Sequence, residues 1–242
     1  SVLIKKLKTE DLLQLASLKA ERIESRLSKA LGSSLELASD PLLISWFESY
    51  ESNEELRYLF YKRLDNLLAS GEYHGTFAAN LITRRYHKPG GESIYLDEKD
   101  SQHKWFYDTV EKAKKIQINI NNDPKSGETF VFINALIGSS TKPGGIAGVS
   151  INFSKVSKEF TDTDPVYEAS VYLIDKSGLV KVSSKPEFLK KSISEHLGKD
   201  FENKLIQNFQ IQGVYEFEDS RGIVDMVFVP LRSTDWGVIY EV

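Results

Sequence analysis

The order helix, strand, strand, strand occurs twice in this 242-residue sequence, far apart, and a chain that repeats a unit of this size builds two cores rather than one. The first copy has a helical stretch at 105–115, followed by strand patterns at 116–121, 129–137 and 145–153. The second has a helical stretch at 186–208, then strands at 212–217, 222–230 and 236–242. A strand pair precedes the second copy, 171–174 and 179–182, joined by the turn Asp175, Lys176, Ser177, Gly178. The expected fold class is α+β: a long N-terminal helix and two tandem units, each a mainly antiparallel five-stranded sheet flanked by helices.

Leu3, Leu7, Leu12, Leu15, Leu18, Ile23, Leu27 and Ala30 recur at helical spacing up to Gly32, which predicts one long helix. Asp40 before Pro41 is a helix start, and Ser52, Asn53, Glu54 and Glu55 have the spacing of a capping box. Alternation over 73–85 predicts a strand closed by Lys88, Pro89, Gly90 and Gly91, with a shorter strand at 94–96. Asn122 to Gly127, and then Lys142, Pro143, Gly144 and Gly145, read as hairpin turns. Residues 154–163 read as a short helix and linker. The expected division is therefore a spine helix over 1–39, one unit over 40–160 and a second over 161–242.

Composition narrows the function. A formal net charge of −4 offers no basic field for a phosphate backbone, so nucleic acid is not an expected partner. The absence of cysteine excludes disulfides, thiolate metal sites and cysteine nucleophiles, and is compatible with a bacterial periplasm. His74, His87, His103 and His196 form neither an i, i+4 pair nor an HExxH motif, so no metal and no cofactor is expected. There is no GxSxG elbow, dinucleotide fingerprint or phosphate loop. The acidic residues are too numerous for any pair of them to single out hydrolytic chemistry. These features favour recognition over catalysis. The chain begins within a helical pattern and stops after a strand, which reads as an excised domain.

The run DSQHKWFYDTVEKAKKIQININNDPKSGETFVFINALI, followed by GGIAGVSINFSKV, resembles the first unit of double-Cache extracytoplasmic sensor domains; VYLIDKSGLVKVSS and the final WGVIYEV agree with the second unit. The resemblance implies a periplasmic or extracellular sensor of a bacterial membrane receptor, with two PAS-like units on a spine helix, a small-molecule ligand in the membrane-distal unit and a possible homodimer through the first helix. The output would be a histidine kinase or diguanylate cyclase, with a chemoreceptor as the alternative. A secreted binding protein is the reading outside this class. The resemblance further implies a pocket lined by Trp105 and Phe106, with His103 where amino-acid-binding members carry arginine. Asn121 and Asp123 stand at their Tyr-x-Asp, and Ser150 at their last aspartate. Loss of that arginine and aspartate argues against an α-amino acid. Tyr107, Tyr86 and Asn134 complete the candidates: Tyr107 follows the aromatic pair, Tyr86 adjoins the Lys88 turn, and Asn134 would place an amide inside a sheet, where it needs a partner.

Overall fold

The computed structural model describes residues 2–161, 169–220 and 222–242. The expected linker end at Thr163 and the stripe side chains Leu3 and Leu7 lie outside what is described. The first helix, α1 (Val2–Ala38), is followed by α2 (Pro41–Glu48) and α3 (Glu54–Ala69). Strands β1 (Gly75–Asn80), β2 (Arg85–Lys88) and β3 (Glu92–Tyr95) lead to α4 (Lys104–Lys112), then β4 (Ile116–Asn122), β5 (Thr129–Gly138) and β6 (Pro143–Asn152). After α5 (Phe153–Thr161) come β7 (Ser170–Asp175), β8 (Val180–Ser183), α6 (Ser194–Leu197), α7 (Lys199–Gln207), β9 (Gly213–Asp219), β10 (Gly222–Pro230) and β11 (Trp236–Glu241). Two antiparallel sheets result, in the orders β3-β2-β1-β6-β5-β4 and β8-β7-β11-β10-β9. The chain is thus α+β with two units: Ser28–Asn152 forms one, and Ser1–Leu27 with Phe153–Val242 the other.

Along α1 the buried line is Leu12, Ala16, Ala20, Ile23, Leu27 and Ala30, each three or four residues from the last, while Leu18 is exposed. Six residues beyond Leu12, at about 100° each, Leu18 has turned well away from that face. Gly32 does not end the helix as expected. The cost of glycine in a helix, about 1 kcal/mol, is outweighed by the contacts made in the next two turns. Leu37 is buried, and the Ser34 hydroxyl donates to the Ile133 carbonyl at 3.0 Å while accepting from the Val149 N–H at 3.2 Å, which fastens the last turns of α1 to β5 and β6.

The other helix starts agree with the sequence. Asp40 accepts from the Leu42 N–H at 2.9 Å, and Asn53 from the Leu56 N–H at 3.0 Å. Replacing Asn53 with alanine removes an exposed cap and is expected to lower the stability of this unit by about 1 kcal/mol, read as a shift in the urea midpoint at unchanged slope.

The single strand expected over 73–85 is two strands joined by a turn, which is why the first sheet has six strands. The Asn80 side chain accepts from the Ile82 N–H at 2.9 Å, and Arg84 takes φ 59°, so the chain reverses where alternation alone reads as continuous. The turn expected at Lys142 to Gly145 lies slightly earlier: Ser139 and Lys142 exchange backbone hydrogen bonds, and β6 already begins at Pro143.

Candidate functional site

Directly opposed residues of an antiparallel pair share one face of the sheet, so the registers sort the six-stranded sheet into two surfaces. On one surface lie Tyr86 opposite Ala79, Phe77 opposite Gly148, and Gly75 opposite Ser150. The same surface continues through Asn134 opposite both Gly148 and Gln117, Phe132 opposite Ser150 and Asn119, and Phe130 opposite Asn121. The other surface is covered by helices. There Thr76 donates to the Leu64 carbonyl at 3.0 Å, and Asn80 donates to the Phe47 carbonyl at 3.4 Å.

Helix α4 packs on the first surface. Phe106 is fully buried there with Phe77, Ala79 and Ile146, and Trp105, Tyr86 and Phe132 pack around this cluster partly buried. Tyr86 stacks on Phe77 at 5.4 Å, and Trp105 meets Tyr86 edge-on at 6.0 Å. Burial pushes the Tyr86 phenol up, so the ring keeps its proton and can donate. Gln117 anchors the helix by donating to the Thr109 carbonyl at 2.6 Å. A β-carbon on Gly148 would lie 1.9 Å from the Ile133 carbonyl oxygen and 3.0 Å from the Phe77 ring, so only glycine permits this approach of strand and ring.

Asn134 breaks the pattern. Its side chain is 2% exposed, yet neither Oδ1 nor Nδ2 has a hydrogen-bond partner. Among the described residues the other buried side-chain atoms without a partner are Trp46 Nε1 and Ser233 Oγ, one atom each. An unmatched buried polar group costs about 1–3 kcal/mol, and Asn134 carries two. A buried group of this kind calls for an explanation, and its place on a surface shared with partly buried rings and amides makes that surface the candidate small-molecule site.

The expected site residues divide. Trp105, Phe106, Tyr86, Asn134 and Ser150 come together on or against this surface, with Phe106 wholly in the core. Asn121 is on the same surface at its exposed end. The Tyr107 hydroxyl donates to the Leu96 carbonyl at 2.6 Å and so fixes the loop entering α4. His103 holds that loop too, its Nδ1 accepting from the Asp97 N–H at 2.9 Å. Asp123 is engaged within its own turn: it accepts from the Lys125 N–H at 2.9 Å and the Ser126 hydroxyl at 2.8 Å, and these bonds hold its carboxyl below the usual range. Gln117, Asn119 and Phe132 join the surface without having been expected there. Their signal lies in the sequence, because Gln117, Asn119 and Asn121 alternate along one strand and place three amides on one face.

The five-stranded unit treats its corresponding surface differently. Tyr172, Phe228 and Ile239 pack in a buried apolar cluster with Leu205 of α7. The carboxylate at the end of that surface, Glu241, accepts from His196 Nε2 at 2.6 Å and pairs with Lys185 at 3.4 Å. Among the described residues no cluster of three or more His, Asp or Glu could hold a metal ion, and no helix is long and apolar enough to cross a membrane.

No family model matches the sequence. Solved structures do. The ligand-binding domain of the Pseudomonas aeruginosa PAO1 amino acid chemoreceptor PctC, in complex with GABA, superposes with a TM-score of 0.68 at 15% identity, covering 96% of this chain and 98% of that one. The periplasmic sensory domain of the Campylobacter jejuni chemoreceptor Tlp1 gives a TM-score of 0.71 at 13% identity, covering 98% and 95%. The fold is that of the double-Cache sensor domains. The extracellular domain of mmHK1S-Z3, a candidate histidine kinase, has the same double-Cache layout, with a TM-score of 0.69 at 16% identity and coverage of 96% and 93%. The similarity therefore spans both units, and the similar structures include domains of chemoreceptors and of a candidate histidine kinase.

Proposed function

We propose that this chain is the extracytoplasmic small-molecule sensor domain of a bacterial transmembrane signalling receptor, and that the six-stranded unit holds the ligand on its α4-facing surface. The observation that carries the reading is Asn134, a buried amide with both ends unmatched beside Trp105, Tyr86 and Phe132. The double-Cache fold supports the sensor role, since its neighbours include ligand-binding domains of chemoreceptors and the extracellular domain of a candidate kinase. A histidine kinase or diguanylate cyclase output and a chemoreceptor output fit the domain equally. The chain itself recognises and does not catalyse. Signalling arises from linkage: a ligand that prefers one arrangement of this unit shifts the population toward it by its differential affinity, about 1–3 kcal/mol in coupled systems.

A thermal-shift screen of amino acids, carboxylates, amines, sugars and nucleobases tests this. A true ligand at about 100 times its dissociation constant stabilises the fold by about 2.7 kcal/mol. Trp105→Ala is expected to abolish that shift while leaving a cooperative transition in the unliganded protein. A shift that survives Trp105→Ala unchanged places the site elsewhere.

A further inference from the structure

The residues that the registers place on the ligand-facing surface of β1, β6, β5 and β4 include no Asp, Glu, Lys or Arg. What they offer instead is amides, a hydroxyl and rings. Charges at the margins are paired, Lys88 with Glu92 at 3.3 Å at the β2–β3 edge, and Glu128 accepting from Asn152 at 2.9 Å beyond Phe130. A carboxylate ligand needs a cation or an array of N–H donors, and an ammonium ligand needs a carboxylate. Asp108, half-buried on α4 one turn beyond Trp105, is the acid nearest in sequence to the ring cluster. Asn134 presents a donor and an acceptor side by side, neither of them used inside the protein. An asparagine amide with both atoms available pairs in bidentate fashion with a ligand edge that carries an acceptor next to a donor, as it does with the edge of adenine. Partly buried rings on the same surface, Phe132 two residues along the strand and Tyr86 and Trp105 at the other margin, supply apolar area for a flat molecule.

We propose that the six-stranded unit takes an uncharged planar heterocycle of the nucleobase class, with the Asn134 amide pairing with its donor–acceptor edge. This rests on the reading of that surface as the sensing site. Calorimetric titration with adenine, hypoxanthine and uracil, beside glycine, glutamine and GABA, provides the test. At least one base binds, and the amino acids do not. Asn134→Asp, which replaces the amide donor by a second acceptor, weakens binding about tenfold or more, the loss expected for one bidentate pair. Asn134→Leu abolishes binding yet leaves the melting temperature of the free protein unchanged or higher, because it removes two unmatched atoms. A purely structural asparagine would lower it instead.

Failure of the ligand class and failure of the site give different results. If an amino acid or GABA binds and Asn134→Leu removes that binding, the site stands and the ligand class is wrong. Binding of an amine that is lost in Asp108→Asn overturns the class in the same way. If a base binds and neither Asn134 variant alters it, the site itself is wrong. If none of the three bases binds, the nucleobase class is overturned.

Discussion

Glu51→Ala lowers the stability of the six-stranded unit by about 3–5 kcal/mol, the range expected when one partner of a buried charged cluster is removed. Glu51 Oε1 accepts from Asn80 Nδ2 at 2.9 Å, from the Thr83 hydroxyl at 2.5 Å and from His87 Nε2 at 3.0 Å. Alanine removes the acceptor that all three donors share, and Asn80 keeps only its 3.4 Å contact with the Phe47 carbonyl. His87 is the hub: its Nδ1 lies 2.7 Å from the Tyr61 hydroxyl, and its ring is 4.8 Å from Trp46. The cluster also holds a strained backbone, since Tyr50 and Glu51 take φ 56° and 60° in succession. Glu51→Gly, which relaxes that strain but loses the same carboxylate, is therefore expected to cost about 1 kcal/mol less than Glu51→Ala. Burial alone would raise the Glu51 carboxyl, but the hydrogen bonds from His87, Thr83 and Asn80 outweigh it and hold the group below its ordinary value of 4.5. A depressed folded value means that the unfolded chain binds the proton more readily. The contribution is thus complete above about pH 5 and is lost as pH falls through the folded value. Urea unfolding between roughly pH 7 and pH 3 should show an acid-side decline that is flatter in Glu51→Gln. An equal decline in both proteins would assign the acid sensitivity to other carboxyls.

How far the sequence reveals this molecule depends on the distance over which each feature is specified. Caps are local, and Asp40 and Asn53 act as their positions predict. The tandem order of elements and the fold class come from periodicity, which is local as well. Gly32 misleads because the reason to continue the helix lies about a hundred residues away, where Ser34 meets β5 and β6. The break between β1 and β2 escapes pattern reading because Asn80 looks like a strand residue until its side chain is seen bonded to Ile82. On the candidate surface, the positions of Trp105, Tyr86 and Asn134 are accessible through resemblance and strand parity. That His103 and Asp123 bond their own loops is not legible in sequence, since short polar side chains near turns bond local backbone as readily as a ligand. The Glu51–His87 cluster, spanning 36 residues, has no sequence signature at all.

Glu241→Ala is the second large expected effect, about 3–5 kcal/mol in the five-stranded unit, because it removes the carboxylate 2.6 Å from His196 Nε2 and leaves that ring, inside an apolar cluster, with only the Tyr172 hydroxyl at 3.3 Å. Glu241 is 1% exposed, and His196 packs against Phe188 at 4.4 Å and Tyr172 at 5.5 Å. Lys185 has 31% of its side chain exposed and can turn to solvent, whereas His196, at 11%, is held between the Phe188 and Tyr172 rings. If the loss arises from an abandoned polar partner rather than from lost packing, then removing both partners should recover it. Glu241→Leu combined with His196→Phe is expected to regain most of the stability lost in Glu241→Ala, since buried ion pairs replaced by apolar groups of similar volume are often neutral. Equilibrium urea unfolding of the two variants decides this, and a double variant as unstable as Glu241→Ala would assign the effect to shape. The comparison bears on function as well. Both units present a helix-covered sheet surface with a polar side chain buried on it. In the second unit the protein supplies its own partners for Glu241, and in the first it supplies none for Asn134. A site matched from within has nothing left to offer a solute, so ligand dependence is expected to track substitutions at Asn134 and to be insensitive to the paired replacement at His196 and Glu241.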